Sequence, residues 1–277
     1  MIVDSVVHIW AANSPQRPWK EGAQPQRAVP LGADELLREM DEAGVDRVVL
    51  VPPSWEGERN DVALAAAQAH PHRFALMGRI DPLDPASPSR LPDLLRQPGM
   101  LGLRLTAQMS SEMQAILSAG RLEWLWPELE RLGAPVFLSV PHSMASLVSD
   151  IASRFPSLRI TLDHIGLPYG KFDEEAFSDL DRVLTLSRYS NVAVKVSALP
   201  CYTRQPYPYL NLHPYLRRVH HAFGSQRMFW GSDLSRSPIP YRENIAMIAD
   251  EIKWLSPTDK EWILGKGVCR WLNWKLH

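Results

Sequence analysis

Two histidines and one aspartate, far apart in the sequence, have side chains that could together perform acid–base chemistry. His8, His164 and Asp233 each stand at or just after the end of a short apolar segment. An ionised aspartate can take a proton from water, and histidine exchanges protons near neutral pH. The three residues could therefore activate water for hydrolysis. Each also has a structural alternative, because an aspartate often caps a turn and a histidine can be buried with its hydrogen bonds satisfied.

Two cations lie within otherwise apolar segments. Arg104 stands in Leu-Gly-Leu-Arg-Leu, and Lys195 stands in Val-Ala-Val-Lys-Val-Ser. A buried charge is costly unless an opposite charge lies beside it. That partner is either an anionic substrate or a carboxylate of the protein itself, and the sequence leaves both open. We predict that both residues contribute to substrate binding.

Short segments rich in β-forming residues alternate with amphipathic segments of helical length, which predicts repeated β-α units and a parallel sheet. The predicted strands are residues 2–8, 45–52, 74–80, 101–106, 135–140, 159–163, 192–197 and 228–231. The predicted helices are residues 33–43, 61–70, 87–96, 111–132, 144–155, 174–188, 213–223 and 242–254, and a further helix at 258–271.

Eight such units predict an α/β fold. We expect a single (β/α)8 TIM barrel domain over residues 1–277, with the helix at 258–271 as an addition. The reactive groups of such barrels lie at the carboxyl ends of the strands and in the loops that follow them. His8, Arg104, His164, Lys195 and Asp233 all stand at or after predicted strand ends. The barrel therefore brings them to one mouth.

The composition restricts the classes of partner. The chain has 277 residues, a formal net charge of -1 and no block of Lys or Arg, so we expect neither a nucleic-acid nor a membrane partner. Cys201 and Cys269 lack metal-binding spacing and suit a reducing compartment. We therefore expect a cytoplasmic protein that binds a small, anionic substrate. Whether it forms a homo-oligomer is left open.

Two loops could form the walls of a pocket at the mouth. The segment 197–213, after the seventh predicted strand, is rich in Tyr and Pro and is long enough to cover the mouth. The loop after the second strand could form a second wall. The same aromatic residues could instead only pack these loops. Beside Arg104 and Lys195, the predicted substrate-binding residues are Trp55, Tyr202, Arg204, Tyr207 and Arg236.

Several segments resemble the amidohydrolase-related metal-dependent hydrolases (amidohydrolase family 2) over nearly the whole chain. They are Val-Asp-Ser-Val-Val-His-Ile-Trp at 3–10, Gly-Val-Asp-Arg-Val-Val-Leu-Val at 44–51, Asp-His-Ile-Gly-Leu-Pro at 163–168, Asn-Val-Ala-Val-Lys-Val-Ser at 191–197 and Met-Phe-Trp-Gly-Ser-Asp at 228–233. The chain is most similar to the lactonase branch, which includes pyrone-dicarboxylate and sugar lactonases. The resemblance implies that Asp233 is the general base, and that His8 and His164 match the histidines of the first and sixth strands.

The sequence departs from that family at two positions where a metal ligand is expected. Val6 stands where the first histidine of a His-x-His motif would be, and Ser139 stands near a position that is histidine in the related decarboxylases. Neither side chain is a good zinc ligand. We therefore expect no metal cofactor. If a metal is bound, we expect a single zinc or manganese at His8, His164 and Asp233, with His142 as a substitute ligand.

These features predict a hydrolase that acts on a small carboxylated lactone, or on a related cyclic ester or amide, without a metal. Asp233 would activate water, while His8 and His164 would stabilise the developing oxyanion. One alternative is a metal-dependent, non-oxidative decarboxylase of a ring carboxylate. Another is a catalytically inactive barrel that only binds a metabolite.

Overall fold

Eight parallel strands form one sheet in the computed structural model, which describes residues 1–275. Neighbouring strands of the sequence are neighbours in the sheet, in the order β1 to β8. All eight predicted strands are confirmed, most of them with fewer residues at their ends. They are β1 (Val3–Val7), β2 (Arg47–Leu50), β3 (Phe74–Gly78), β4 (Met100–Thr106), β5 (Val136–Ser139), β6 (Ile160–Leu162), β7 (Val192–Ser197) and β8 (Met228–Gly231).

The gap between β8 and β1 is bridged by hydrogen bonds, so the sheet forms a nearly closed barrel. The backbone N–H of Asp233 donates to the carbonyl of Val6 over 3.1 Å. The buried carboxylate of Asp4 accepts from the backbone N–H of Ser232 at 3.0 Å and from the hydroxyl of Tyr241 at 2.8 Å. The predicted TIM barrel is therefore confirmed.

Helices lie between the strands as the sequence predicts, and two of them have the predicted bounds. Two long predicted helices, at 111–132 and 174–188, are each broken into shorter ones. The first break contains Gly120, whose φ of 70° ends the preceding turn. The helices are α1 (Ala33–Ala43), α2 (Asp61–Ala69), α3 (Ser87–Leu95), α4 (Ser111–Ser118), α5 (Leu125–Arg131), α6 (Ala145–Arg154), α7 (Asp173–Ala176), α8 (Leu180–Leu184) and α9 (His213–Phe223).

The C-terminal helices also differ from the prediction. The predicted helix at 242–254 is α10 (Tyr241–Ala246), which continues as a π-helical turn over Met247–Glu251. The additional helix at 258–271 consists of α11 (Pro257–Glu261), a second π-helical turn over Trp262–Lys266, and α12 (Gly267–Trp271). A capping box fixes the start of α11, because the side chains of Ser256 and Asp259 each accept the other residue's backbone N–H.

The barrel interior changes from apolar to polar along its axis. Its lower part is filled by aliphatic and aromatic side chains, among them Val49, Met77, Phe137 and Phe229, together with Val268 and Leu272 from the C-terminal segment. A second, larger core lies between the barrel and the helices. None of the helices within residues 1–275 is long and apolar enough to cross a membrane.

Candidate active site

The ends of β1, β6 and β8 bring together the three residues that the sequence predicts to be catalytic. His8 Nε2 lies 3.4 Å from Asp233 Oδ1, and His164 Nε2 lies 3.8 Å from Asp233 Oδ2. All three residues are buried, with at most 4% of their surface exposed. A carboxylate therefore lies between two imidazole rings, in the upper part of the barrel.

The backbone turns sharply where these side chains begin. His164 has a φ of 53°, Ile165 of 56° and Asp233 of 52°. Residues with a side chain seldom adopt this left-handed conformation, and a branched residue such as Ile165 does so only at an energetic cost. Such strain concentrates at functional sites. Here it accompanies the turns that aim His164 and Asp233 at each other.

His8 is fixed by hydrogen-bond acceptors on both sides of its ring. Its Nδ1 atom donates to the carbonyl of Val51 over 2.6 Å, and its Nε2 atom faces Asp233 Oδ1. Because the Nδ1 proton is used by Val51, Nε2 can donate to Asp233 only in the imidazolium form. When protonated, His8 places a positive charge beside the carboxylate, but at 3.4 Å its Nε2 atom is too far away for a close hydrogen bond to Oδ1.

His164 is held in place by Ser197 at the end of β7. Its Nδ1 atom lies 2.8 Å from Ser197 Oγ. Burial lowers the pKa of His164 to about 4, against the opposing charges of Asp233 and Asp163. His164 is therefore neutral at pH 7. A neutral ring can exchange a proton, or accept a hydrogen bond, without adding a second positive charge to the site.

Asp233 is ionised in this environment. Burial raises its pKa, but the nearby His8, together with the charges of His164 and Arg236, outweighs burial and holds the pKa of Asp233 well below its usual range. Its Oδ1 atom is buried and has no well-oriented hydrogen-bond donor among the described residues. One carboxylate oxygen thus keeps a lone pair available for a proton.

A layer of charged side chains lies next to this cluster. Asp163 forms ion pairs with Arg104 Nε at 2.8 Å and with Lys195 Nζ at 2.9 Å. Lys195 is fully buried and its ammonium also lies 3.3 Å from the centre of the Phe137 ring. Burial lowers the pKa of Lys195 to about 8, against the charge of Asp163. Arg104 and Lys195 therefore both pair with a carboxylate of the protein, which is one of the two alternatives that the sequence left open. Their contact with substrate stays a prediction.

Arg79 is a further cation of the mouth that sequence reasoning missed. It follows β3, is 7% exposed, and donates to the carbonyl of Gly57 and to Thr106 Oγ1, each over 3.2 Å. Glu58 lies 3.5 Å away. Burial lowers the pKa of Arg79, and the charge of Arg104 lowers it further. The position of this arginine at the end of the third predicted strand could have identified it from the sequence as a residue of the barrel mouth.

Gln108, also missed, connects three of the loops at the mouth. Its side-chain carbonyl accepts from Ser139 Oγ over 3.0 Å, and its amide lies 3.4 Å from the hydroxyl of Tyr202 and also donates to the carbonyl of Leu167. Nothing in the local sequence distinguishes Gln108 from a surface residue, since the network depends on loops that are far apart in the chain.

The predicted wall residues divide into two groups. Tyr202 is buried 6.4 Å from the His164 ring, and Trp55 lies 6.3 Å from the His8 ring. Arg236 lies over Tyr202, with Nη1 3.6 Å from Asp233 Oδ2. The structure thus brings these three residues to the cluster.

The other two wall residues have their contacts elsewhere. Arg204 is exposed and stacks on Phe172. The hydroxyl of Tyr207 lies 3.5 Å from Glu251. Their role in substrate binding stays a prediction.

Residues 3–266 match the family of proteins described as amidohydrolases. The chain belongs to this family. It is 27% identical over 238 residues to L-fucono-1,5-lactonase of Burkholderia ambifaria, an alignment that covers 83% of this chain and 79% of that protein.

Solved structures of low sequence identity share the fold. An amidohydrolase of Burkholderia multivorans with bound zinc is 20% identical with a TM-score of 0.83, and covers 99% of both chains. A protein of Acinetobacter baumannii assigned as a 2-pyrone-4,6-dicarboxylic acid hydrolase, with citric acid bound, is 19% identical with a TM-score of 0.81, again over 99% of both chains. These similarities show the barrel and its topology.

The metal sites of the family raise the question of whether these residues could hold an ion. Within residues 1–275, no group of three or more His, Cys, Asp or Glu side chains is arranged to hold one. Val6 is fully buried in the apolar part of the barrel, and Ser139 is bonded to Gln108. His142 Nδ1 lies 3.6 Å from Asp179 Oδ2, and its role as a substitute ligand stays a prediction. No catalytic step below passes through a metal ion, and the absence of a metal cofactor stays a prediction.

Proposed function

We propose that this protein hydrolyses a lactone, or a related cyclic ester or amide, in a small carboxylated molecule without a metal ion. The observation that carries the proposal is the buried, ionised Asp233 between His8 and His164, with its Oδ1 atom free to accept a proton. The relation to a protein named as a lactonase supports the same class of reaction.

The charges around the cluster support an anionic substrate. Three guanidinium groups, those of Arg79, Arg104 and Arg236, lie near the carboxyl ends of the strands, beside the carboxylates of Glu58, Asp163 and Asp233 respectively. Arginine binds carboxylates in a planar, two-point geometry. A carboxylate on the substrate would be a further partner for these buried or half-buried cations.

In the proposed reaction, Asp233 takes a proton from water as the water oxygen attacks the carbonyl carbon of the ring. The imidazolium of His8 stabilises the negative charge that develops on the carbonyl oxygen. The tetrahedral intermediate collapses when the bond to the ring oxygen breaks. That oxygen receives the proton from Asp233, which regenerates the carboxylate and releases the open-chain acid.

The neutral His164 has a separate role in this scheme. Its ring orients the attacking water beside the Asp233 carboxylate, and Ser197 fixes the ring in turn. In this scheme the charged His8 stabilises the oxyanion, while the neutral ring of His164 directs a nitrogen lone pair towards the water.

A substrate panel tests the reaction class and the independence from metal together. Purified protein, with its zinc and manganese content measured, is assayed by pH-stat on carboxylated five- and six-membered lactones, pyrone carboxylates and neutral sugar lactones. We expect ring opening, at a rate that chelator leaves unchanged. Activity that disappears with a stoichiometric metal would contradict the metal-free mechanism. Release of CO2 from an aromatic carboxylate, without ring opening, would instead assign the decarboxylase alternative.

A further inference from the structure

A second concave site lies on the outside of the barrel. It has a volume of about 820 Å³ and is formed by α8, α9 and Trp254, which follows the π-helical turn after α10. We call it the α9 groove. Small-molecule sites have volumes of about 300–1,000 Å³. The groove is large enough for a ligand with one or two rings.

The faces of α9 separate this groove from the catalytic residues. Leu216, Val219 and Phe223 are buried on the side of α9 that faces the core. Arg217 and His221 are exposed on the other side and line the groove. A ligand in the α9 groove therefore lies outside the barrel wall, whereas His8, His164 and Asp233 lie within the barrel mouth.

Apolar surface forms much of the groove. Leu210 is 60% exposed, and Leu184, Pro214 and Ala222 also line it. The indole N–H of Trp254 is buried and has no hydrogen-bond partner in the described part of the chain. Exposed leucine beside a tryptophan ring is a surface that flat, apolar rings cover well.

The groove also carries a cation that has no ion-pair partner among the described residues. The guanidinium of Arg217 lies 5.2 Å from the centre of the Trp254 ring, and no carboxylate within residues 1–275 forms an ion pair with it. Asp181 is the acidic residue that lines the groove, and its carboxylate is bonded to Arg218. The free charge therefore lies directly beside the aromatic surface.

We propose that the α9 groove binds a small aromatic carboxylate. Its ring lies against Trp254 and Leu210, and its carboxylate pairs with Arg217. The combination selects this class, since the apolar surface favours a ring and the unpaired guanidinium favours an anion. The proposal does not depend on the reaction at the barrel mouth.

Calorimetric titration with 2-naphthoate tests this site in the full-length protein. We expect one molecule bound per chain, and about tenfold weaker binding to Arg217→Gln, because a charge-assisted contact is lost. Arg270→Gln is the matched control, since Arg270 is also exposed and stacks on a tryptophan, Trp262, but does not line the groove. Trp254→Leu should weaken binding as well, and the neutral 2-naphthamide should bind more weakly than the acid.

Three results would overturn the proposal. They are an absence of 2-naphthoate binding up to its solubility limit, equal affinity of the wild type and Arg217→Gln, and equal affinity for the acid and the amide. Binding that Arg217→Gln leaves intact would place the probe at another site, such as the barrel mouth. Arg217 is exposed, so the variant is expected to fold, and thermal melts of all variants check this.

Discussion

Burial and nearby charges together set the ionisation of Asp233 and of the histidines beside it. Burial alone would favour a protonated Asp233, yet the charge of His8 keeps it ionised. Burial dominates at His164, whose ring is neutral. The result is an ionised carboxylate that has a histidine nitrogen within 4 Å of each of its oxygens.

Asp233→Asn tests the general base. Asparagine has nearly the same size and tolerates the left-handed backbone at this position, but it cannot accept the proton. We expect kcat to fall by at least ~100-fold while the melting temperature changes little. Asp150→Asn, at an exposed position on α6, is the control and should retain full turnover. Near-normal turnover by Asp233→Asn would show that another group is the base, and His164 would be the next to test.

The state of His164 predicts the acidic side of the pH profile. Because burial lowers its pKa from 6.5 to about 4, kcat/KM should fall with an apparent pKa near 4. The same shift affects stability, since the unfolded chain takes up the proton first. The stabilising contribution of the neutral ring is complete above pH 6.5 and is lost as pH falls from 6.5 to about 4. A pH–rate profile with its acidic midpoint at 6.5 would contradict this assignment.

At the scale of elements, the charged layer joins three strands. Arg104 on β4 and Lys195 on β7 meet at Asp163, directly after β6. The layer therefore connects β4 and β7 to the end of β6, where His164 also lies. An ion pair without exposure to water loses much when one partner is removed, because the remaining charge is left buried.

Arg104→Met distinguishes an internal ion pair from a substrate contact. We expect the free energy of unfolding to decrease by roughly 3 kcal/mol, the usual cost of breaking a buried pair. Arg154→Met, which breaks two exposed ion pairs, should cost less than about 1 kcal/mol. Denaturant titration measures both. An Arg104→Met protein with unchanged stability and a raised KM would show that the residue mainly binds substrate.

The loop after β1 is fastened to the loops that follow two other strands. Arg17 binds Glu56 Oε1 at 2.7 Å and also pairs with Asp61, both beyond β2. Ser235, after β8, donates to the side chain of Gln26. These contacts hold the loop beside Trp55, whose carbonyl also accepts the backbone N–H of Lys20.

At the scale of the whole molecule, the seam between β8 and β1 completes the barrel. Burial raises the pKa of Asp4 to about 6, although its carboxylate accepts hydrogen bonds from Ser232, Val6 and Tyr241. The contact between β8 and β1 thus depends on a buried carboxyl group, that of Asp4, which accepts hydrogen bonds from three residues.

Asp4→Ala should destabilise the whole barrel. Removing the acceptor leaves buried N–H and O–H groups unpaired, so we expect the free energy of unfolding to fall by roughly 3 kcal/mol or more. Asp41→Ala, at an exposed ion pair, is the control and should change it little. A melting temperature equal to that of the wild type would show that the seam does not depend on this carboxylate.

The sequence by itself determined the barrel and the three central residues. Alternating strand and helix patterns are local, so eight units could be counted, and the carboxyl end of each strand predicted where His8, His164 and Asp233 would meet. Two long helices were predicted wrongly, because hydrophobic periodicity continues across breaks that local turns such as the one at Gly120 impose.

Only the tertiary structure decided the charges and the partners. Asp163 as the partner of Arg104 and Lys195, the position of Arg79 and the connections of Gln108 all join strands or loops that are distant in sequence. The protonation state of His164 depends on the charges around its ring and on how completely water is excluded. Such quantities arise from packing between elements, and no local pattern encodes them.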